Sequence, residues 1–311
     1  MDKLLVLTFA DAQLPSQNYL RKSCEEFEVD LKVLTCSPWI QNVVKLKLLY
    51  EFAGTADPEL VLLVVDAYDV VLYDNEEAIL DRFHEAEAEI LFSGESNFMY
   101  KEPAKWLAYL RKYPKQSSIY RFLNSGSYIG KVKHIRTMLD AMQQDFAIDF
   151  LDEEKLLPLK SDQYLLSRFF VDSASQPERI NLKIDATHQL LGVTGGRFCV
   201  VNFPGLSKWQ SFAFFIVERN LLKLFSLHRH QKIPKDYAPL RNRFFNKKTG
   251  TYPPVMHFPG TWDRFDKVYE GLLVGKTSRK GASWILAAVV SVVAFLASIV
   301  ATPLFWLVTR K

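Results

Sequence analysis

The chain has 311 residues, 49% of them hydrophobic and 14% aromatic, which excludes a disordered polypeptide and suits one large α/β domain or two small ones. Its formal net charge is only +4 and the charges are scattered; nothing resembles a nucleic-acid-binding arm, while anionic ligands or a membrane surface remain compatible with the mildly basic balance. Cys24, Cys36 and Cys199 have no metal-ligand spacing and form no disulfide framework, so ordinary buried thiols in a reducing compartment are the simpler expectation.

In chain order, residues 3–9 read as a first strand. Their apolar run is about six residues long and no small-residue cleavage site follows, so an export signal is not expected. A helix is expected over 15–28, a second strand over Val29–Thr35, and a turn at Ser37-Pro38-Trp39. Val43–Phe52 reads as a helix ended by Gly54–Pro58. Residues 60–66 are a continuous Val/Leu run closing on Asp66, with Asp69 just beyond. Such a run fits a strand buried on both faces, as in parallel sheets. A helix over Glu76–Ala86 and a strand over Glu89–Ser93 continue the alternation, which predicts βαβ units and a mostly parallel sheet flanked by helices.

Lys101–Ser118 reads as a helix followed by a loop over the site. Phe122–Gly130 reads as a strand with a tight glycine turn, His134–Gln144 and Ser161–Phe170 as helices, and Ile180–Ile184 as a short strand. Residues 195–250 are aromatic and basic and resist assignment. Val255–Gly260 reads as a late strand or loop returning to the centre. No internal repeat is present.

The C-terminal part differs in kind. Trp284–Val308 carries no charge and, at ~1.5 Å per residue, is long enough to cross a ~30 Å hydrocarbon core. Lys276, Arg279 and Lys280 precede it, Arg310 and Lys311 follow it, and Trp284 and Trp306 lie near its ends, where interfacial aromatics belong. The expected organisation is a catalytic domain over 1–275, a basic juxtamembrane linker over 276–283 and a single-pass tail anchor over 284–308, with the domain facing the cytoplasm.

Ligands of open α/β sheets bind outside the carboxyl ends of the strands. Asp66 and Asp69 stand at such an end and offer hard oxygen ligands, which suit Mg²⁺ or Mn²⁺ beside a phosphorylated ligand. The plainer reading is a solvated strand end with a turn. Tyr68, between them, either stacks on a base or is a packed aromatic. His257, before a Pro-Gly turn, is a further ligand candidate whose imidazole favours Mn²⁺, though a lone histidine is more often structural. Asn124 offers a donor and an acceptor, which suit sugar hydroxyls or a catalytic amide, and Gly126 permits close backbone approach; taken alone, a simple turn is the better explanation of both. Glu95 and Asp162 could hold hydroxyls or take a proton, or be ordinary strand-end and cap acids. Lys45 and Lys47 lie on one helix two positions apart, so one of them could reach a phosphate while a solvated surface is the commoner fate. His84, His134, His188, His228 and His230 show no partner pattern and are expected to be structural.

Several of these stretches, taken in order, resemble one family. Lys45-Leu-Lys-Leu-Leu49, Val64-Val-Asp66-Ala-Tyr-Asp69-Val70, Phe92-Ser-Gly-Glu95, Tyr113-Pro114, Phe122-Leu-Asn124-Ser-Gly126 with Ile129-Gly130, Ser161-Asp162-Gln163, and His257 with Gly260 are similar to the glycosyltransferase domain of the procollagen lysyl hydroxylases and, more distantly, to the collagen galactosyltransferases. The resemblance implies a GT-A fold that uses a UDP-sugar and Mn²⁺. It implies Asp66, Asp69 and His257 as metal ligands, Tyr68 stacked on uracil with Trp39 lining the same pocket, and Lys45 facing the phosphates with Gly260 nearby. Glu95, Asn124 and Asp162 would line the sugar and acceptor side.

The chain also departs from that family. Ser161-Asp162 stands where two acids are common, His257-Phe-Pro-Gly260 replaces His-Gly-Asn-Gly, and Asp263 precedes Arg264 where a basic residue is usual. The hydroxylase part is missing, as is an iron-binding facial triad. The expectation is a membrane-anchored, metal-dependent glycosyltransferase moving a hexose from a UDP-sugar to a protein hydroxyl, a glycan or a lipid-linked sugar. Two alternatives stand beside it: an inactive tail-anchored scaffold with a transferase fold, and a metal phosphoesterase using the same acids.

Overall fold

The structure, a computed structural model, describes residues 2–96, 109, 111–159, 161–174, 178–194, 236–240, 243–259, 265 and 269. Its centre is a six-stranded sheet in the order β2-β1-β3-β6-β5-β7. The strands are β1 (Leu4–Ala10), β2 (Leu31–Thr35), β3 (Val61–Asp66), β5 (Ile90–Glu95), β6 (Phe122–Lys131) and β7 (Leu182–Asp185). β1 pairs in parallel with β2 and β3, and β5 in parallel with β7. β6 alone runs antiparallel, between β3 and β5.

β3 shows why the run was legible. Val61, Leu63 and Val65 face one layer, Leu62 and Val64 the other, and all five are buried, the period-two pattern of a strand covered on both sides. One face packs on α2 (Val44–Ala53), α4 (Val132–Phe146) and α5 (Asp162–Ser173) through Leu46, Leu49, Ile135, Met138, Leu139, Leu165 and Phe169. The other packs on α1 (Tyr19–Glu26) and α3 (Glu76–Glu85) through Leu20, Cys24, Ile79 and Phe83. Asn18, Asn75 and Ser161 cap α1, α3 and α5 by accepting from the amides of Arg21, Ala78 and Tyr164, so polar residues set the helix starts. The Asn18 cap starts the first helix at Tyr19, later than residue 15.

Three readings are corrected. Phe122–Lys131 is one uninterrupted strand with no glycine turn. Glu95 ends β5 inside the sheet, paired with Phe122, instead of following the strand. The connection after Asp66 continues into β4 (Val70–Leu72), which joins β8 (Leu191–Val193) and β11 (Val255–His257) in a small sheet of order β4-β11-β8. Part of the segment that resisted assignment is a hairpin of β9 (Tyr237–Leu240) and β10 (Arg243–Asn246). Among the described residues no helix is long and apolar enough to cross a membrane. The expected span over 284–308 lies outside the described residues, as do Cys199, His228, His230 and most of Lys101–Ser118.

His188 ties that hairpin to the main sheet. The ring is fully buried and stacks on Tyr120 with centroids 3.9 Å apart. Its Nε2–H donates to the carbonyl of Gly94 at 2.7 Å, while Nδ1 accepts from the Tyr237 hydroxyl and from Asn246 Nδ2 at 3.0 Å. The two acceptor contacts at Nδ1 require a neutral ring. Burial holds its pKa below the ordinary 6.5, against the opposing pull of Asp185 and Asp236. Below pH 6.5 the unfolded chain therefore takes up a proton that the folded chain refuses, and stability falls with pH by up to ~1.4 kcal/mol per unit from this group. Denaturant unfolding at pH 5.5 and 7.5 should show a larger acid loss for the wild type than for His188→Gln. Equal losses would contradict this account.

Candidate metal centre

The antiparallel course of β6 builds the site. Because it opposes its neighbours, its beginning meets the carboxyl ends of β3 and β5. Val65 of β3 pairs with Ser127, and β5 steps from a Phe92–Tyr128 pairing to a Ser93–Asn124 pairing. Ser125–Ser127 are bulged relative to β5, and a bulge re-aims side chains beside it. Asn124 is delivered to the end of β3 in this way.

His257 arrives from the other sheet. It ends β11 opposite Val70 of β4, directly after Asp69, and the Phe258 amide donates to the Asp69 carbonyl at 2.8 Å. Asp66, Asp69 and His257 thereby present one ligand atom each within 4.8 Å of one another. His257 Nε2 lies 3.4 Å from Asp69 Oδ1 and 3.5 Å from Asp66 Oδ2. Adjacent ligands of an octahedral ion at 2.0–2.1 Å are separated by about 3 Å, so small adjustments close this set on a cation.

The tautomer of His257 supports the same conclusion. Nδ1–H donates to Asn124 Oδ1 at 3.0 Å. That oxygen also accepts from the Gly126 amide at 2.9 Å, and Asn124 Nδ2 donates to Glu95 Oε1 at 3.1 Å, which fixes the amide orientation. Nε2 is left buried without a hydrogen-bond partner, facing two carboxylates. A lone pair aimed at anions is stable only with positive charge between them. Burial by itself would depress the His257 pKa, yet Asp69 and Asp66 outweigh it and raise it. The pocket demands a positive charge, on the ring or as a bound cation, and this donor set fits Mn²⁺ or Mg²⁺.

A further layer surrounds these three. Lys45 of α2 reaches Asp66 Oδ1 at 2.5 Å and Asp162 Oδ2 at 3.6 Å. Burial opposes the ammonium charge, but Asp162 and Asp66 more than compensate and raise its pKa. Burial would raise Asp66; Lys45 and His257 hold it below the usual carboxylate range. Asp162, at the start of α5, is pushed up by burial and by Asp66, against the pull of Lys45. Glu95 accepts from Gln163 Nε2 at 2.6 Å as well as from Asn124.

The expected residues Asp66, Asp69, His257, Asn124, Glu95, Lys45 and Asp162 thus form one connected cluster. Tyr68 stands at the same edge, 36% exposed as a residue, with its hydroxyl donating to Asp11 Oδ1 at 2.5 Å; burial and Asp11 push its pKa up to about 12. Trp39 is partly buried beyond the end of β2, its Nε1–H donating to Asn42 Oδ1 at 3.3 Å. Gly260 lies outside the described residues. Asp11 was not singled out by sequence reasoning, and Gln163 was quoted within the Ser161–Gln163 stretch without a role. Asp11 follows β1 as Asp66 ends β3, so the strand-end rule could have found it.

Gly126 has an unusual neighbour. A Cβ there would meet the His257 ring at 2.1 Å, so the glycine leaves the space in which the imidazole sits. Gly126→Ala should displace the ring and weaken Mn²⁺ binding roughly 10–100-fold, as should Asn124→Leu, while Asn124→Asp, which keeps the acceptor, should lose less. Mn²⁺ titration followed by electron paramagnetic resonance measures this; wild-type affinity in Gly126→Ala would exclude the arrangement.

Comparison with known proteins places the chain in a family. Residues 1–196 match the family model described as the PLOD GT domain. The chain is 31% identical over 204 residues to the procollagen-lysine,2-oxoglutarate 5-dioxygenase of Drosophila melanogaster, covering 59% of this chain and 27% of that one. It is 29% identical over 199 residues to the human multifunctional procollagen lysine hydroxylase and glycosyltransferase LH3, covering 59% and 24%. The chain therefore spans about a quarter of the length of these relatives. One solved structure, A197 from STIV, shares 10% identity at a TM-score of 0.29, covering 43% of this chain and 66% of that one, too slight a likeness to carry an argument. The match ends before His257, which nevertheless folds back onto the two aspartates. With most of its length matched, the chain belongs to the PLOD GT domain family of glycosyltransferase domains.

Proposed function

We propose that this protein is a metal-dependent glycosyltransferase that moves a hexose from a UDP-sugar to an acceptor hydroxyl on a protein, a glycan or a lipid-linked sugar. The observation that carries the proposal is the unpartnered Nε2 of His257 facing Asp66 and Asp69 at a parallel strand's carboxyl end. Asp66, Asp69 and His257 would hold the cation, Mn²⁺ or Mg²⁺. When bound, it supplies neutralisation of charge on the departing diphosphate. The exposed ring of Tyr68, with Trp39 beyond the end of β2, suits a uracil face. Lys45 supplies a positive charge for the phosphates.

Asp162 is the strongest candidate to hold or deprotonate the acceptor hydroxyl. It is buried at the start of α5 with a raised pKa, the condition of a carboxylate tuned toward proton transfer. Glu95 and Asn124 are already engaged with each other, and Asn124 also with His257. Their part in this reading is to fix the imidazole and the floor of the sugar site.

We extend the proposal to a membrane-anchored enzyme. The charge-free run 284–308, flanked by Lys276, Arg279, Lys280, Arg310 and Lys311, supports a single span. A cytoplasmic face fits thiols such as Cys24, which burial pushes up to about 12 and keeps unreactive.

One observation favours a second reading. Ser161, beside Asp162, offers no second carboxylate and spends its hydroxyl on the cap of α5. An inactive scaffold with the fold would show no metal-dependent UDP binding and release no UDP from any donor.

UDP release by the full chain from a panel of UDP-sugars, with Mn²⁺ or EDTA, tests the proposal. One donor should be turned over, with roughly 100-fold or greater loss in EDTA and in Asp66→Ala or Asp69→Ala at an unchanged melting transition. Unchanged turnover in the double variant would refute it.

A further inference from the structure

Lys45 occupies a position that the proposed chemistry contests. It is the inward-facing lysine of α2: Lys47, two positions on and therefore on another face of the helix, reaches out to Glu153 at 2.6 Å. The Lys45 side chain is 13% exposed, and the walls beside it include Phe9, Leu46, Val64, Val65, Ser125 and Tyr128. None of these carries a negative charge to balance the ammonium. Among the described residues its ion-pair partners are Asp66 at 2.5 Å and Asp162 at 3.6 Å.

Asp66 is shared between two claims. Its Oδ1 is held by Lys45, and its Oδ2 faces His257 Nε2. A divalent cation held by Asp66, Asp69 and His257 would stand across one carboxylate from the ammonium. Two cations at that separation repel strongly even at the dielectric of a partly solvated site. Asp162, already within ion-pair reach, offers the ammonium another place, and a diphosphate on the cation would offer a third.

We infer that Lys45 stands in for the cation while the metal is absent and is displaced from Asp66 when it enters, so that metal and nucleotide diphosphate load as a coupled pair. The inference rests on the reading of Asp66, Asp69 and His257 as metal ligands and of a UDP-sugar as donor. Lys45 makes metal binding weak in the absence of nucleotide. Once displaced, the same ammonium is free for phosphate oxygens. Because coupling between two ligands is reciprocal, UDP tightens the metal by the factor by which the metal tightens UDP. Lys45 is then a positioning residue that keeps the site from holding metal without donor.

The test is Mn²⁺ titration of the full chain by electron paramagnetic resonance, without and with UDP, for the wild type, Lys45→Met, Lys45→Gln and Lys45→Arg. Without UDP, the neutral variants should bind Mn²⁺ more tightly, on the order of tenfold. At saturating Mn²⁺ they should bind UDP more weakly, so the coupling shrinks. Lys45→Arg, which keeps the charge, should stay near the wild type. A lysine serving only to support the fold would not move the two affinities in opposite directions. Neutral variants that keep the wild-type melting transition and bind Mn²⁺ no more tightly would overturn the inference. If the wild type binds Mn²⁺ and Asp66→Ala does not, that result leaves the metal site standing. If no variant binds Mn²⁺, the metal site and this inference both fall.

Discussion

Negative charge gathered at the carboxyl end of β3 is the constraint on which the rest of the site depends. Asp66, Asp69 and Asp162 approach one another where burial is expensive for ions. Left alone they would protonate or force the strands apart. The chain answers with Lys45 from α2 and His257 from β11, elements far apart in sequence. Each is held to the cluster by close contacts, at 2.5 Å for Lys45 and 3.4–3.5 Å for His257. The stability of this corner and the cation binding proposed for it would therefore meet one electrostatic requirement.

The sheet order explains how these parts meet. With β6 reversed between β3 and β5, the segment Asn124–Gly126 lies at the same edge as the aspartates. Asn124 then works in two directions, accepting from His257 and donating to Glu95, while Gly126 vacates the volume that the imidazole fills. The small sheet β4-β11-β8 fixes His257 opposite the residue that follows Asp69. Asp66 and His257 thus sit at strand ends and Asp69 in the three-residue bend between β3 and β4, which suits a site that must hold geometry within a fraction of an ångström.

Much of this was legible in the residues, for reasons that differ by element. The β3 run and its terminal acids carry a local signature: apolar residues too continuous for one buried face, ending in carboxylates. Helix starts were legible where a cap residue marks them, as at Ser161. The direction of β6 was not, because parallel and antiparallel pairing differ in long-range connection and not in local pattern. Gly126 was read as a turn because the His257 ring that requires its missing side chain is brought there only by folding. Strands of three residues, such as β4, β8 and β11, are too short to show a period. The sharing of Asp66 between Lys45 and His257 is a fact of three-dimensional proximity that spacing along the chain does not encode.

The central claim is that Asp66, Asp69 and His257 form a cation site through which the nucleotide is held. Calorimetric titration of the full chain with UDP, in Mn²⁺ and again in EDTA, tests it most directly. The account predicts saturable binding with Mn²⁺ and its loss in EDTA. Binding of UDP to the same extent in EDTA, or no binding in either, would contradict it.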